Sequence, residues 1–261
     1  MTTTFKRTAV AVLTAASLIL AACGGDDDSS TPETTAAATP ETAAETTVAT
    51  AAEETTTVAP AEGPLVGTFA IEAADCAAGA PTTGSYFRMV QGGGTLTDGP
   101  FVANADSTCT DQTYSALQPG TAGLVTGEFQ PQPAEPFDTI GNGLADAIVA
   151  PTKFFGVTFA VSTNESDPAS GASVTAPSIV LNPDGTLSGD LRAVSVAWNG
   201  QQFNQGSPKP DESRPGLTTD LSGTYDAATG RFVIEWVSQI VGGPFDGFSG
   251  VWHLEGTFTA S

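Results

Sequence analysis

From about residue 150 onward, apolar and polar positions alternate with a period of two. Phe155, Val157, Phe159 and Val161 fall at every second position of K-F-F-G-V-T-F-A-V-S. Arg192, Val194, Val196 and Trp198 do so in L-R-A-V-S-V-A-W, as do Phe232, Ile234 and Trp236 in R-F-V-I-E-W-V. Trp252, Leu254 and Phe258 share one face of V-W-H-L-E-G-T-F. Period two with aromatic and β-branched enrichment marks half-buried strands. Weaker runs predict further strands near 66–72, 85–91, 123–130, 173–181 and 220–225. Asn182-Pro183-Asp184-Gly185 reads as a tight turn, and the segment from Tyr225 to Gly230 as a hairpin loop closing on a left-handed glycine. One short stretch, Asn142 to Val149, is a candidate helix. Many short strands with Gly- and Pro-rich connections predict an all-β fold, an antiparallel β-sandwich, with a closed β-barrel as the alternative.

The first 63 residues follow another pattern. Lys6 and Arg7 precede an uncharged run over residues 8–20. That run fits a signal-peptide core of roughly 7–15 residues and is short of the ~20 that span a bilayer. It ends at Leu20-Ala21-Ala22-Cys23. Residues 24–63 hold no aromatic residue, no Leu, Ile, Lys or Arg, and two Val (Val48, Val58). Such a segment cannot bury enough surface to offset the entropy of ordering, so it predicts a disordered Thr/Ala/Glu/Pro-rich linker. The expected organisation is a leader over 1–22, Cys23 with its tether over 23–63, and a globular β domain over 64–261.

Leu20-Ala21-Ala22-Cys23 resembles the lipobox of bacterial lipoproteins. The resemblance implies diacylglyceryl transfer to the Cys23 thiol, cleavage before Cys23 and, often, acylation of the new amine. Small residues before the cut let a peptidase approach the backbone. Two or three acyl chains, at about 0.8 kcal/mol per buried CH₂, hold stably where one is marginal. The chain is therefore expected to be extracytoplasmic and lipid-anchored to the cell membrane, or to the outer membrane in a cell with two, since Gly24 stands after the cysteine. An ordinary secretory signal with an incidental cysteine is the alternative.

Charge narrows the partners. Residues 64–261 carry 20 acidic and six basic side chains. Nucleic acid and anionic membrane surfaces favour the opposite sign. With Cys23 assigned to lipid, Cys76 and Cys109 remain as a pair in an oxidising compartment and predict a disulfide. One histidine in the whole chain makes zinc improbable. Asp98, Asn104, Asp106 and Asp111, and separately Asn164, Glu165 and Asp167, form oxygen-rich loops that suit Ca²⁺ without matching an EF-hand; otherwise no cofactor or metal is indicated.

Three stretches hold candidate chemistry. His253 and Glu255 point to the face opposite Trp252, and an antiparallel neighbour would bring Glu235 to them. Two carboxylates and an imidazole can serve a hydrolase, yet three polar residues on a solvated sheet face look the same in sequence. The stretch W-N-G-Q-Q-F-N-Q-G-S-P-K-P, residues 198–210, read as a loop, offers Trp198 and Phe203 as flat apolar surfaces and Asn199 and Gln202 among its amides. That combination suits a glycan, unless the rings tuck under the sheet. The glycine-rich run from Ile240 to Gly250 has no phosphate-binding spacing and reads as structural, with Phe245 and Phe248 inward.

The runs F-N-Q-G-S-P-K-P and I-V-G-G-P-F-D-G-F-S-G resemble segments of uncharacterised secreted bacterial proteins, which implies no activity. The first expectation is a non-enzymatic binding or interaction domain for a cell-envelope glycan or protein. A structural envelope protein assembling through a sheet edge, and a hydrolase using Glu235 and Glu255, are the others.

Overall fold

The computed structural model describes residues 62–261. The leader, Cys23 and the tether up to residue 61 lie outside the described residues. The strands are β1 (Gly63–Pro64), β2 (Gly67–Ile71), β3 (Tyr86–Thr95), β4 (Gly99–Phe101), β5 (Ser115–Ala116), β6 (Leu124–Val125), β7 (Thr152–Phe154), β8 (Val157–Thr163), β9 (Ser178–Leu181), β10 (Thr186–Asp190), β11 (Val194–Trp198), β12 (Gln201–Asn204), β13 (Thr219–Asp226), β14 (Arg231–Gln239) and β15 (Ser249–Ala260).

Two antiparallel sheets face each other as a sandwich. The larger, curled like a half-barrel, runs β1-β9-β10-β13-β14-β15-β2-β6, and the smaller runs β12-β11-β8-β7. Strand β15 forks the large sheet. Its end pairs with β2 (Gly256↔Ile71 to Ala260↔Gly67), while its start pairs with β3 (Ser249↔Val90 to His253↔Tyr86), which in turn holds β4 and β5. One strand can serve two neighbours along the same edge because at twelve residues it is twice a typical strand. The inner faces meet through aromatic rings. Phe159 of β8 stands edge-on to Trp252 of β15 (6.0 Å between centroids), and Trp252 stacks on Trp236 of β14 (5.7 Å). Phe69, Phe232, Ile234 and Leu254 extend this core beneath the large sheet.

The predicted alternation holds along β14 and β15, whereas β11, expected to be half-buried, is covered on both faces. Several expectations are corrected. The run from Phe155 to Val161 is a hairpin, not one strand. Phe155 and Gly156 both take positive φ (53° and 84°) and turn the chain, so Phe154 is buried while Phe155 is 53% exposed. Residues Asn142 to Val149 form no helix. Their backbone bonds go sideways: Gly143 N–H to Thr158 O (2.9 Å), and Thr121 and Ala122 N–H to Asp146 and Ala147 O. The Gly143 end of this strap lies on the outer face of the small sheet, where Ala160 and Ala197 are small enough to admit it, while Ile148 and Val149 reach the core beside Val161 and Val194. A β-carbon on Gly143 would meet Ala160 Cβ at 2.7 Å and Ala197 O at 2.4 Å. Covered on both faces, β11 is buried at all five positions. The strand expected over 123–130 contracts to the two residues of β6.

Candidate functional site

The six residues singled out as ligand-contacting lie in two places on opposite sides of the large sheet. His253 and Glu255 stand on its outer face. Antiparallel register places Glu235 opposite His253, as expected from the pattern. The His253 Nδ1–H donates to Glu235 Oε1 (2.7 Å), and Nε2 lies 3.9 Å from Glu255 Oε2. That hydrogen bond holds the Glu235 carboxyl below its ordinary range, outweighing partial burial. Arg231 grips Glu72 with two hydrogen bonds (2.7 and 2.8 Å) and Glu255 with a third (3.0 Å). Glu255 Oε2 also accepts the Gly84 N–H (2.7 Å), and Ser85 Oγ bridges the Glu255 main chain. Glu255 thus pins the 83–85 loop to the sheet.

Aromatic residues that the periodicity did not single out complete this face. The Tyr86 ring lies parallel to His253 (4.6 Å, 6°), and Tyr114 meets Tyr86 edge-on (5.0 Å). The Arg88 guanidinium sits over Phe101 (3.5 Å) and Tyr114 (4.1 Å). Burial, followed by the Glu235 charge, pushes the Tyr86 hydroxyl up to about 12. Rings stacked against one another on adjacent strands use their faces internally and turn edges outward. With both imidazole nitrogens directed at carboxylates and Glu255 held by a cation and an amide, the row resembles a braced surface more than an acid–base pair open to substrate.

Trp198 and Phe203 lie on the inner side. Asn199 and Gly200 are not part of a loop but the two-residue turn of the β11–β12 hairpin, both with positive φ (49° and 72°), as an Asn-Gly turn requires. The turn directs Trp198 inward, where its Nε1–H donates to Phe154 O (2.8 Å). Asn199 is exposed at the turn, and Gln202 is half-buried on the side of β12 away from Phe203. Trp198 and Phe203 therefore offer no surface platform, since their rings are buried. They line, with Phe87, Phe154, Phe159, Phe245 and Trp252, an apolar cavity of about 40 Å³ between the sheets. The one amide at its wall, Gln205, is engaged: its Oε1 accepts from Trp252 Nε1 (3.2 Å) and its main-chain O from Trp236 Nε1 (2.8 Å). Water inside would find no partners, so the cavity favours apolar occupants.

The end of the sandwich beside this cavity is itself apolar. Phe245, half-buried, contacts Trp198 (5.4 Å), Phe154 (5.9 Å) and Phe155 (5.8 Å). Phe155 and Val241 beyond it are 53% and 55% exposed. A composition cue existed for this end: Phe155 and Val241 each stand beside a glycine in a turn, and Phe245 lies between Gly243 and Gly247.

The oxygen-rich loops spend their carboxylates on backbone N–H groups, local ones for Asp111 and Asp167 and the β7–β8 turn for Asp106. Asp111 caps Thr113, Asp106 accepts from Gly156 N–H (2.7 Å), and Asp167 Oδ2 accepts from Ser170. Among the described residues no three His, Cys, Asp or Glu side chains come together as a metal cluster. Cys76 and Cys109 are joined as a disulfide with Cα atoms 5.1 Å apart. No family model, curated protein or solved structure matches the chain, so the functional reading stands on these residues and their geometry.

Proposed function

We propose that the chain is a lipid-anchored extracytoplasmic binding module that takes up an apolar group, the acyl or aryl end of an envelope molecule, at the open end of its sandwich. The observation that carries this is the aromatic cavity beneath Phe245, flanked by exposed Phe155 and Val241. Burying apolar area is worth about 25 cal/mol per Å², and side chains already held by the fold lose little entropy when a ligand covers them. At its present volume the cavity admits only the tip of such a group. The remaining contact falls on the exposed rim. A whole sugar ring does not fit it, which moves the expected ligand from glycan to hydrocarbon. The anchor follows from Leu20-Ala21-Ala22-Cys23, and the acidic tether would hold the domain off the membrane. Catalysis is not part of this reading, because Glu255 and His253 are engaged with the fold.

Trp198 and Trp252 report on the cavity directly. Titration with a medium-chain fatty acid should quench or shift their fluorescence saturably, and Val196→Phe, which fills the cavity, should weaken binding at least about tenfold, a loss of ~1.4 kcal/mol. A signal that does not saturate, or that survives Val196→Phe in a folded protein, would remove the proposal. Binding of cell-wall glycan that is indifferent to Val196→Phe would restore a glycan ligand on the exposed Asn199 side. Mass spectrometry of the native amino-terminal peptide tests the anchor independently: it should begin at an acylated Cys23.

A further inference from the structure

A second buried constellation surrounds Lys209, behind the Gln205 amide at the wall of the apolar cavity. This lysine is 6% exposed. Among the described residues its Nζ donates to Asn204 Oδ1 (3.2 Å), Asn204 O (3.2 Å) and Ser238 Oγ (2.7 Å), with no carboxylate in contact. Ser238 donates its own proton to Gly206 O (2.8 Å), which leaves its lone pairs for the lysine. The Asn204 carboxamide is itself buried and held in one orientation. Its Oδ1 also accepts the Gly206 N–H (3.1 Å), and its Nδ2 donates to Arg192 O (3.0 Å). An amine thus sits beside an amide carbonyl polarised by a backbone N–H, in a buried site. Burial lowers the Lys209 amine to about 8, so its neutral, nucleophilic form is reached easily. The carboxylate whose charge acts most strongly on it is Asp167, also buried, with Oδ1 lacking any hydrogen-bond partner among the described residues.

We propose that Lys209 and Asn204 join through an intrachain isopeptide bond that the domain forms on itself. The neutral Nζ attacks Asn204 Cγ, forming the new C–N bond. The charge that develops on Oδ1 is met by the Gly206 N–H. A proton passes from the attacking Nζ to the departing Nδ2 within the tetrahedral adduct; the Cγ–Nδ2 bond breaks and ammonia is released. A primary amide and an amine become a secondary amide and ammonia, with no oxidant or cofactor. Two pre-positioned groups need no encounter step, which can contribute many orders of magnitude in effective concentration. Burial protects the product from hydrolysis. The bond would lock the segment leaving β12 where it packs on β14.

The full chain, incubated above pH ~8 and digested with trypsin, tests this by mass spectrometry. The peptide that begins after Arg192 should be lighter by one ammonia, and backbone cleavages between Asn204 and Lys209 should release no separate fragments. Lys209→Arg, which keeps the charge but cannot react this way, should restore the full mass. A succinimide at Asn204 gives the same mass, but it would persist in Lys209→Arg and leave those fragments free, and that outcome overturns the proposal. So does a wild-type peptide of unchanged mass in protein with native near-ultraviolet circular dichroism, a result that needs no variant to fold.

Discussion

The polar row on the outer face shows how one pairing sets a residue's properties. Glu235 and His253 are 18 positions apart and meet because β14 and β15 pair in one register. The hydrogen bond lowers the Glu235 carboxyl, so this group contributes stability above its unfolded pKa and loses it as pH falls through the lower, folded value. Glu235 is 52% exposed, which limits the contribution to about 1 kcal/mol or less. Glu235→Gln should therefore lower the urea midpoint slightly at neutral pH, and the gap to wild type should close below the carboxylate range. A gap of constant size down to strongly acidic pH would mean that packing, not charge, is responsible. The pairing itself was readable from alternation and strand order. The bracing of Glu255 by Arg231 and Gly84 was not, because those partners lie 24 and 171 positions away on elements whose contact depends on how the sheet closes.

Among the elements, β15 organises the most. It pairs with β14 along nine residues and divides its other edge between β2 and β3. Where β2 crosses it, the backbones approach so closely that a β-carbon on Gly256 would lie 1.8 Å from Ala70 O. Gly256→Ala should separate the end of β15 from β2 and cost about 3 kcal/mol or more, read as a large fall in melting temperature. Gly200 is the contrasting case. Its φ of 72° suits Asn, and nothing lies within 4 Å of an added β-carbon, so Gly200→Asn should cost under ~1 kcal/mol. Equal effects of the two would show that close approach is not what Gly256 serves. Hairpin β11–β12 carried a clear sign, Asn-Gly between alternating strands, whereas the Phe155-Gly156 turn did not, since a bulky residue is uncommon at positive φ. The strap over 142–149 looked helical because its apolar spacing fits a helix as well as a segment draped over a sheet.

At the scale of the molecule, long excursions leave the sandwich and must be tied back. Cys76 and Cys109 join the segment after β2 to the one after β4, closing a loop of 33 residues in separation. Reduction should lower stability by about 3–4 kcal/mol on the chain-entropy account, seen as a reductant-dependent shift in the urea midpoint. No shift would mean that those segments are held by their hydrogen bonds alone. The sequence by itself determined the all-β class, the period-two strands, the cysteine pair and the change of composition near residue 63, after which the chain holds enough apolar side chains to build a core, because each depends on composition or on spacing within a few residues. Only the tertiary structure decided that Trp198 turns inward to a cavity while His253 faces out, that a glycine-bearing strap replaces a helix, and that Lys209 is sealed against Asn204. Those outcomes depend on which surfaces meet across the sandwich, and local pattern constrains each face without specifying what will cover it.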